Sequence, residues 1–78
     1  MSILCQLRKE QLFTSSEMEV VNYIVTHPKT AVKATIRELV ELTYSSPSTI
    51  GRVCKKVGVE GFTELKIKLA TELDRLVV

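Results

Sequence analysis

The chain has few of the residues on which catalytic and metal-binding proteins depend. Of its 78 residues, two are cysteine, one is histidine and none is tryptophan. Cys5 and Cys54 lie far apart, no CxxC pair occurs and His27 is the lone histidine, which argues against a zinc site. Neither a glycine-rich phosphate loop nor a nucleophile–base set is present, so we expect neither an enzyme nor a bound cofactor.

Long apolar runs are also absent. No stretch approaches the roughly 20 apolar residues that a membrane span needs, and the first 12 residues lack the basic start and apolar centre of a secretory signal. We therefore expect a cytoplasmic protein with two reduced thiols and no membrane partner. A composition of 45% apolar and 26% charged residues is typical of one globular domain.

The strongest positive signal is a helix predicted over residues 46–58. Ser46 is a good N-cap, Pro47 suits the first helical position, and Gly58 can take the left-handed conformation that ends a helix. Apolar residues recur at helical spacing on one face: Ile50, Val53, Cys54 and Val57. The opposite face contains Ser48, Gly51, Arg52 and Lys55, with Thr49 and Lys56 at its edges. A face that is small, hydroxylated, basic and free of acid is suited to a DNA groove.

A second short helix is predicted immediately before it. Thr35 and Glu38 have the spacing of a capping box, and an amphipathic run follows and ends near Thr43. Only residues 44–46 separate the two helices, which is the spacing of a helix-turn-helix. We place this motif at about residues 35–58. In such motifs the second helix enters the major groove and the first crosses the DNA backbone.

The remaining pattern predicts an all-α fold, a compact bundle of about five helices without strands. We expect a weak first helix at about residues 2–11. The second helix is predicted to begin at a capping box formed by Thr14 and Glu17 and to end at His27-Pro28. Residues 29–34 are predicted to be a connector, with one possible helical turn around Ala31 and Val32. Phe62 is expected to pack in the core, and Thr63 is predicted to cap the last helix.

Several short motifs resemble those of one known family. They are Phe-Thr-Ser-Ser-Glu at 13–17, Tyr-Ile at 23–24, His-Pro at 27–28, Ile-Arg-Glu-Leu at 36–39, Ser46, Thr-Ile at 49–50, Arg52, Cys-Lys-Lys at 54–56 and Gly58. The most specific is Gly-Phe-Thr-Glu-Leu-Lys at 61–66, which follows Lys-Lys-x-Gly-x-x. Over roughly residues 12–73 the chain resembles the N-terminal DNA-binding domain of the RpiR family of bacterial transcriptional regulators.

The resemblance implies sequence-specific binding of double-stranded DNA and regulation of transcription, in sugar or phosphosugar metabolism. It also implies that the intact regulator carries a C-terminal sugar isomerase (SIS) domain that senses a phosphosugar, and these 78 residues do not include that domain. The chain departs from the family in the turn, where Tyr44 replaces the usual glycine. Either the turn has a different backbone, or Tyr44 bears a cost of about 1 kcal/mol that packing offsets.

We predict that eight residues contact DNA: Ser46, Ser48, Thr49, Gly51, Arg52, Lys55, Lys56 and Lys66. Arg52 is the candidate for base contact, because its planar fork matches O6 and N7 of guanine; the alternative is a solvated surface arginine. Thr49 either contacts DNA or is half-buried and structural. Gly51 either lets the helix approach the groove or is merely a tolerated small residue. Ser46 is mainly a cap.

The charge distribution supports a basic surface, although the net charge is only +2. Residues 47–68 contain five Lys/Arg and two Glu, so the positive charge is concentrated in the second motif helix and the segment after it. The lysines are expected to contact phosphates or to be simply solvated.

Apolar residues at both ends of the chain leave its assembly open. Residues 3–7 and 76–78 either pack together, or pack against a second subunit, or are frayed or cut from a longer chain. Because helix-turn-helix proteins commonly bind operators as dimers, we expect a homodimer. The alternative function is a helical protein-interaction module without direct DNA contact. RNA binding is a weaker third option, since no stacking aromatics on a sheet are predicted.

Overall fold

The computed structural model describes residues 3–77, which form six α-helices and one 3-10 helix and contain no strand. The α-helices are α1 (Ile3–Leu7), α2 (Ser15–Thr26), α3 (Pro28–Lys33), α4 (Ile36–Thr43), α5 (Pro47–Lys56) and α6 (Phe62–Val77); the 3-10 helix is Glu10–Leu12. The all-α class is confirmed. The weak first helix is shorter than expected, since it ends at Leu7 and the chain resumes as a 3-10 turn.

Both predicted capping boxes are present. At the start of α2, the Thr14 hydroxyl accepts the Glu17 N–H at 3.3 Å and the Glu17 carboxylate accepts the Thr14 N–H at 3.1 Å. Thr35 and Glu38 repeat this arrangement at the start of α4, at 3.1 and 3.0 Å. These reciprocal bonds satisfy backbone donors that the first turn leaves unpaired, so they fix where each helix begins.

Two further boundaries differ from the sequence prediction. The expected connector at 29–34 is largely helical, because Pro28 ends α2 and also occupies the first position of α3, where its missing N–H costs nothing. The predicted cap at Thr63 is wrong. Helix α6 begins at Phe62, and the Leu65 N–H donates to the Gly61 carbonyl, so Thr63 lies inside the first turn.

The turn between α4 and α5 has a left-handed residue at Tyr44, with φ 52° and ψ 40°. Of the two alternatives for this turn, the structure shows the strained left-handed backbone, and the Tyr44 ring is 91% exposed, so the ring's own packing does not offset the strain. Local hydrogen bonds close the turn instead. The Ser45 N–H donates to the Val40 carbonyl at 3.1 Å, and the Thr43 hydroxyl lies 2.7 Å from both the Leu39 carbonyl and the Ser45 hydroxyl.

Helix α5 ends as predicted at a left-handed glycine. Gly58 has φ 89°. Its N–H donates to the Lys55 carbonyl and the Val59 N–H donates to the Cys54 carbonyl, at 3.1 and 3.0 Å, which together form a Schellman motif. Val57 and Val59 on either side are both buried. The cap therefore turns the chain back onto the core and directs it toward α6.

One core joins all the helices. Its fully buried side chains include Leu7 from α1, Val20, Val21 and Ile24 from α2, Leu39 from α4, Ile50, Val53 and Cys54 from α5, and Leu65 and Leu69 from α6. Phe62 is buried as expected. Since α2 packs against α5, while α3 and α1 pack against α6, the apolar side of α5 is covered and its other side faces outward.

The two ends of the described chain pack together. Ile3 and Leu7 are buried, and the Glu72 carboxylate of α6 accepts the backbone N–H of Ile3 and, at 3.2 Å, that of Leu4. An anion here pairs with donors that the first turn of α1 leaves free. The expectation for residues 76–78 concerns side chains that lie outside those described.

Candidate nucleic-acid interface

The outward side of α5 presents the composition that the sequence predicted. Ser46, Ser48, Arg52, Lys55 and Lys56 are exposed, and Gly51 is half-buried. A Cβ atom at Gly51 would meet nothing within 4 Å, so this part of the helix surface is open. The Ser46 hydroxyl caps the helix by accepting the Thr49 N–H at 3.2 Å.

Arg52 is held in place by two neighbours. Its side chain is 56% exposed, yet Nε donates to Glu17 Oε2 at 3.2 Å and Nη2 donates to Thr49 Oγ1 at 3.2 Å. Arginine has five N–H donors, and these contacts use one on Nε and one on Nη2. The three remaining donors belong to Nη1 and Nη2, at the outer end of the guanidinium.

Glu17 is the residue that sequence reasoning missed. It was expected only to cap α2, but its carboxylate also binds Arg52 and Lys56 on α5, while the residue is 1% exposed. Burial by itself raises the pKa of Glu17; the hydrogen bonds from Lys56, Thr14 and Arg52 and the charge of Lys56 outweigh it, so this pKa lies below its ordinary value. The partners lie 35 and 39 residues away, and no local spacing signals them.

Thr49 connects the cap of α5 to Arg52. It is 5% exposed, and its hydroxyl lies 3.0 Å from that of Ser46 while it accepts the bond from Arg52. Its burial supports the structural alternative for this residue. Ser46, Thr49, Arg52 and Glu17 thus form one hydrogen-bonded chain from the start of α5 to the start of α2.

The lysines differ in how far they are engaged. Lys56 binds Glu17 and lies 6.0 Å from the Phe13 ring centre. Lys66, on α6, donates to the Ala34 carbonyl at 2.9 Å and lies 5.1 Å from the Phe62 ring centre. Lys55 is exposed and, among the described residues, forms no ion pair. Seven of the eight predicted contact residues therefore lie on α5 or its cap, and Lys66 lies elsewhere.

A polar cleft adjoins the start of α5. It is lined by hydroxyl-bearing residues from α2, the turn and α5, together with one acid: Ser15, Ser16, Glu19, Tyr44, Ser45, Ser46 and Thr49. Ser15 and Ser16 were not predicted site residues. Only the packing of α2 against α5 brings them beside Ser46.

Cys54 is part of the core rather than of this surface. Burial raises the pKa of its thiol to about 11, so it stays protonated near neutral pH. Of the helices in residues 3–77, none combines the length and apolarity needed to cross a bilayer.

The sequence matches known regulators. The chain is 38% identical over 60 residues to the uncharacterized HTH-type transcriptional regulator YbbH of Bacillus subtilis, covering 77% of this chain and 21% of that protein. It is 34% identical over 68 residues to the HTH-type transcriptional regulator HexR of Pseudomonas aeruginosa, covering 87% of this chain and 24% of HexR. The chain thus spans less than a quarter of the length of the curated relatives that it matches.

The fold also has a solved counterpart. The crystal structure of the N-terminal domain of the transcriptional regulator ybbH from Bacillus subtilis matches with a TM-score of 0.77 and 32% identity, over 87% of this chain and 80% of that one. The profile of the helix-turn-helix domain of the rpiR family matches residues 1–75. This agrees with the resemblance carried by the residue motifs, and the chain therefore belongs to the rpiR family of helix-turn-helix domains.

Proposed function

We propose that this chain binds double-stranded DNA sequence-specifically, with α5 in the major groove, and acts in transcriptional regulation. The observation that carries the proposal is the outward face of α5, where Ser48, Gly51, Arg52 and Lys55 are accessible and no acidic side chain is exposed on the helix. Hydroxyl and basic groups contact phosphates and base edges. The names of the relatives YbbH and HexR, both HTH-type transcriptional regulators, point the same way.

Within this proposal each residue has a role. Arg52 contacts guanine, Ser48 contacts a base or phosphate, and the small Gly51 lets the helix approach closely. Lys55, Lys56 and Lys66 contact phosphates, and Ser46 sets the start of the helix. The positive end of the α5 helix dipole beside Ser46 also favours an anion.

The alternative interaction module has less support on this face. The large apolar side chains that are exposed within the described residues are Leu12, Ile36, Leu42, Tyr44 and Ile67. None lies on α5, whereas a protein-binding helix normally presents large anchors. The face of α5 is therefore better suited to DNA than to a protein partner.

Three further features belong to the proposal. The chain acts as a cytoplasmic homodimer, it is not an enzyme, and in a longer regulator it responds to a phosphosugar through a C-terminal SIS domain. In that case the effector changes the geometry of the dimer and does not bind this domain directly.

The experiment that tests the function is a selection from random duplex DNA with the purified chain, followed by titration of binding across salt concentrations. We expect one DNA sequence to be enriched, and we expect the affinity for it to fall as the salt concentration rises. A palindromic sequence would also give the half-site spacing of a dimer. Weak, salt-sensitive binding without enrichment would contradict sequence-specific recognition by this chain.

A further inference from the structure

Resting on the proposed function, we infer that Glu17 is a positioning residue for DNA recognition: its buried carboxylate fixes the Arg52 guanidinium so that its outer edge faces the base. Glu17 lies on α2, outside the helix that enters the groove. The sequence motifs assign it only a capping role. Its contacts with Arg52 and Lys56 give it a second role in the same structure.

The carboxylate is suited to this role because it is itself fixed. Glu17 is 1% exposed, and its Oε1 atom accepts both the Thr14 N–H and the Lys56 ammonium. Its Oε2 atom accepts the Arg52 Nε–H. An acceptor held by a helix cap and a second cation has little freedom to move, so it defines the direction in which the arginine extends.

The geometry of the guanidinium leaves the correct donors free. Nε donates to Glu17 and one Nη2 hydrogen donates to Thr49, both on the protein side. One Nη1 hydrogen and the second Nη2 hydrogen form the end-on pair that matches guanine O6 and N7. A free arginine would lose several rotamers on binding, whereas one already held loses fewer.

The negative charge of Glu17 weakens non-specific binding, whereas its hydrogen bond to Arg52 supports specific binding. It neutralises part of the charge of Arg52 and Lys56, which would otherwise attract any phosphate backbone. Glu17 therefore favours a specific site over random DNA in two ways. It organises the base contact, and it reduces attraction that carries no sequence information.

The test compares Glu17→Gln with wild type on the selected site and on random duplex DNA. Glutamine keeps an acceptor for the cap but loses the charge. We expect the ratio of specific to non-specific affinity to fall about tenfold, with unchanged or tighter non-specific binding and a steeper salt dependence. Glu38→Gln is the matched control, because Glu38 caps α4 in the same way but binds no residue of α5.

A double mutant separates positioning from general structural support. In an Arg52→Ala background, Glu17→Gln should lower the affinity ratio much less, because there is no guanidinium to position and only the charge of Lys56 is released. A fall of the same size with and without Arg52 would overturn the inference, as would an equal fall in Glu38→Gln. Higher specific affinity in Glu17→Gln would mean that the carboxylate competes with DNA, which would also overturn it.

Glu17→Asp gives a second route if Glu17→Gln does not fold, as judged by circular dichroism. It keeps the negative charge but shortens the side chain by one methylene, which draws the carboxylate back from Arg52 Nε, and we expect a fall of about threefold in the ratio. An unchanged ratio in a folded Glu17→Asp would overturn the inference. If wild type enriches no site, the proposed function fails and the inference fails with it. If wild type enriches a site and Glu17→Gln keeps the wild-type ratio of specific to non-specific affinity, the inference alone fails.

Discussion

Tyr44 bears backbone strain without burying its ring. A left-handed residue other than glycine costs about 1–2 kcal/mol, and Tyr44 at φ 52° is 91% exposed. Because glycine loses about 0.5–1 kcal/mol more conformational entropy on folding, Tyr44→Gly should raise the free energy of unfolding by up to about 1 kcal/mol. Chemical denaturation measures this change. Tyr44→Ala keeps a Cβ atom and should give no gain; equal stabilisation in both variants would locate the cost in the ring and not in the backbone.

Glu17 should make the free energy of unfolding depend on pH in the acidic range. Its folded pKa is below the ordinary 4.5, so its contribution to stability is present above that value and is lost as pH falls through the folded pKa. We expect the difference in unfolding free energy between wild type and Glu17→Gln to be largest at neutral pH and to shrink below about pH 4.5. Denaturant titrations from pH 7 to pH 3 provide the measurement. A difference that stays constant over this range would show that the Arg52 and Lys56 pairs add nothing.

Residue-scale prediction from sequence depended on distance along the chain. The capping boxes of Thr14 and Thr35 were predictable because each pairs with a glutamate three residues on. The contact of Glu17 with Arg52 was not, because it exists only once α2 and α5 have packed. Tyr44 was recognised as a departure, but only the structure showed that it is left-handed and that its ring is exposed.

Helix α5 offers a direct test of why a glycine lies within a helix. A Cβ at Gly51 would meet no atom within 4 Å, so Gly51→Ala should stabilise the fold by up to about 1 kcal/mol through helix propensity. If Gly51 lets the helix enter the groove, the same substitution should weaken DNA binding. Thermal unfolding and affinity are measured on the same sample. A more stable variant with unchanged affinity would mean that glycine is only tolerated here.

At the scale of elements, strong local signals predicted α2, α4 and α5, whereas most of α3 and the start of α6 were not predicted. Ser46, Pro47 and Gly58 each gave a physical reason for a boundary, and all three act as expected. Helix α3 has six residues and one buried side chain, Ala31, so it has too little periodicity to be recognised from sequence. Thr63 resembles a cap, but the Gly61 carbonyl already accepts the first backbone bond of α6.

Over the whole molecule, the excess of basic residues in 47–68 was visible in the sequence. The sequence did not show which of these side chains already bind a partner within the protein. Arg52, Lys56 and Lys68 all have carboxylate partners in the structure, and Lys66 binds a carbonyl. Lys55 remains the least engaged cation of this segment within the described residues. Under the proposed function, the attraction for DNA is therefore expected to be more localised than the charge count suggests and to centre on α5.

This difference predicts distinct behaviour for two lysines. Lys55→Ala should weaken specific and non-specific binding alike, reduce the slope of log affinity against log salt by about 0.9, and leave stability unchanged because the side chain is exposed. Lys66→Ala should also flatten the slope if its remaining N–H groups reach a phosphate, and should lower the free energy of unfolding by about 1 kcal/mol, since the bond to the Ala34 carbonyl is lost. Salt titrations and denaturant curves on both variants separate the two. An unchanged slope in Lys55→Ala would remove Lys55 from the phosphate contacts, and the same result for Lys66→Ala, with reduced stability, would make Lys66 a structural link between α6 and the segment before α4.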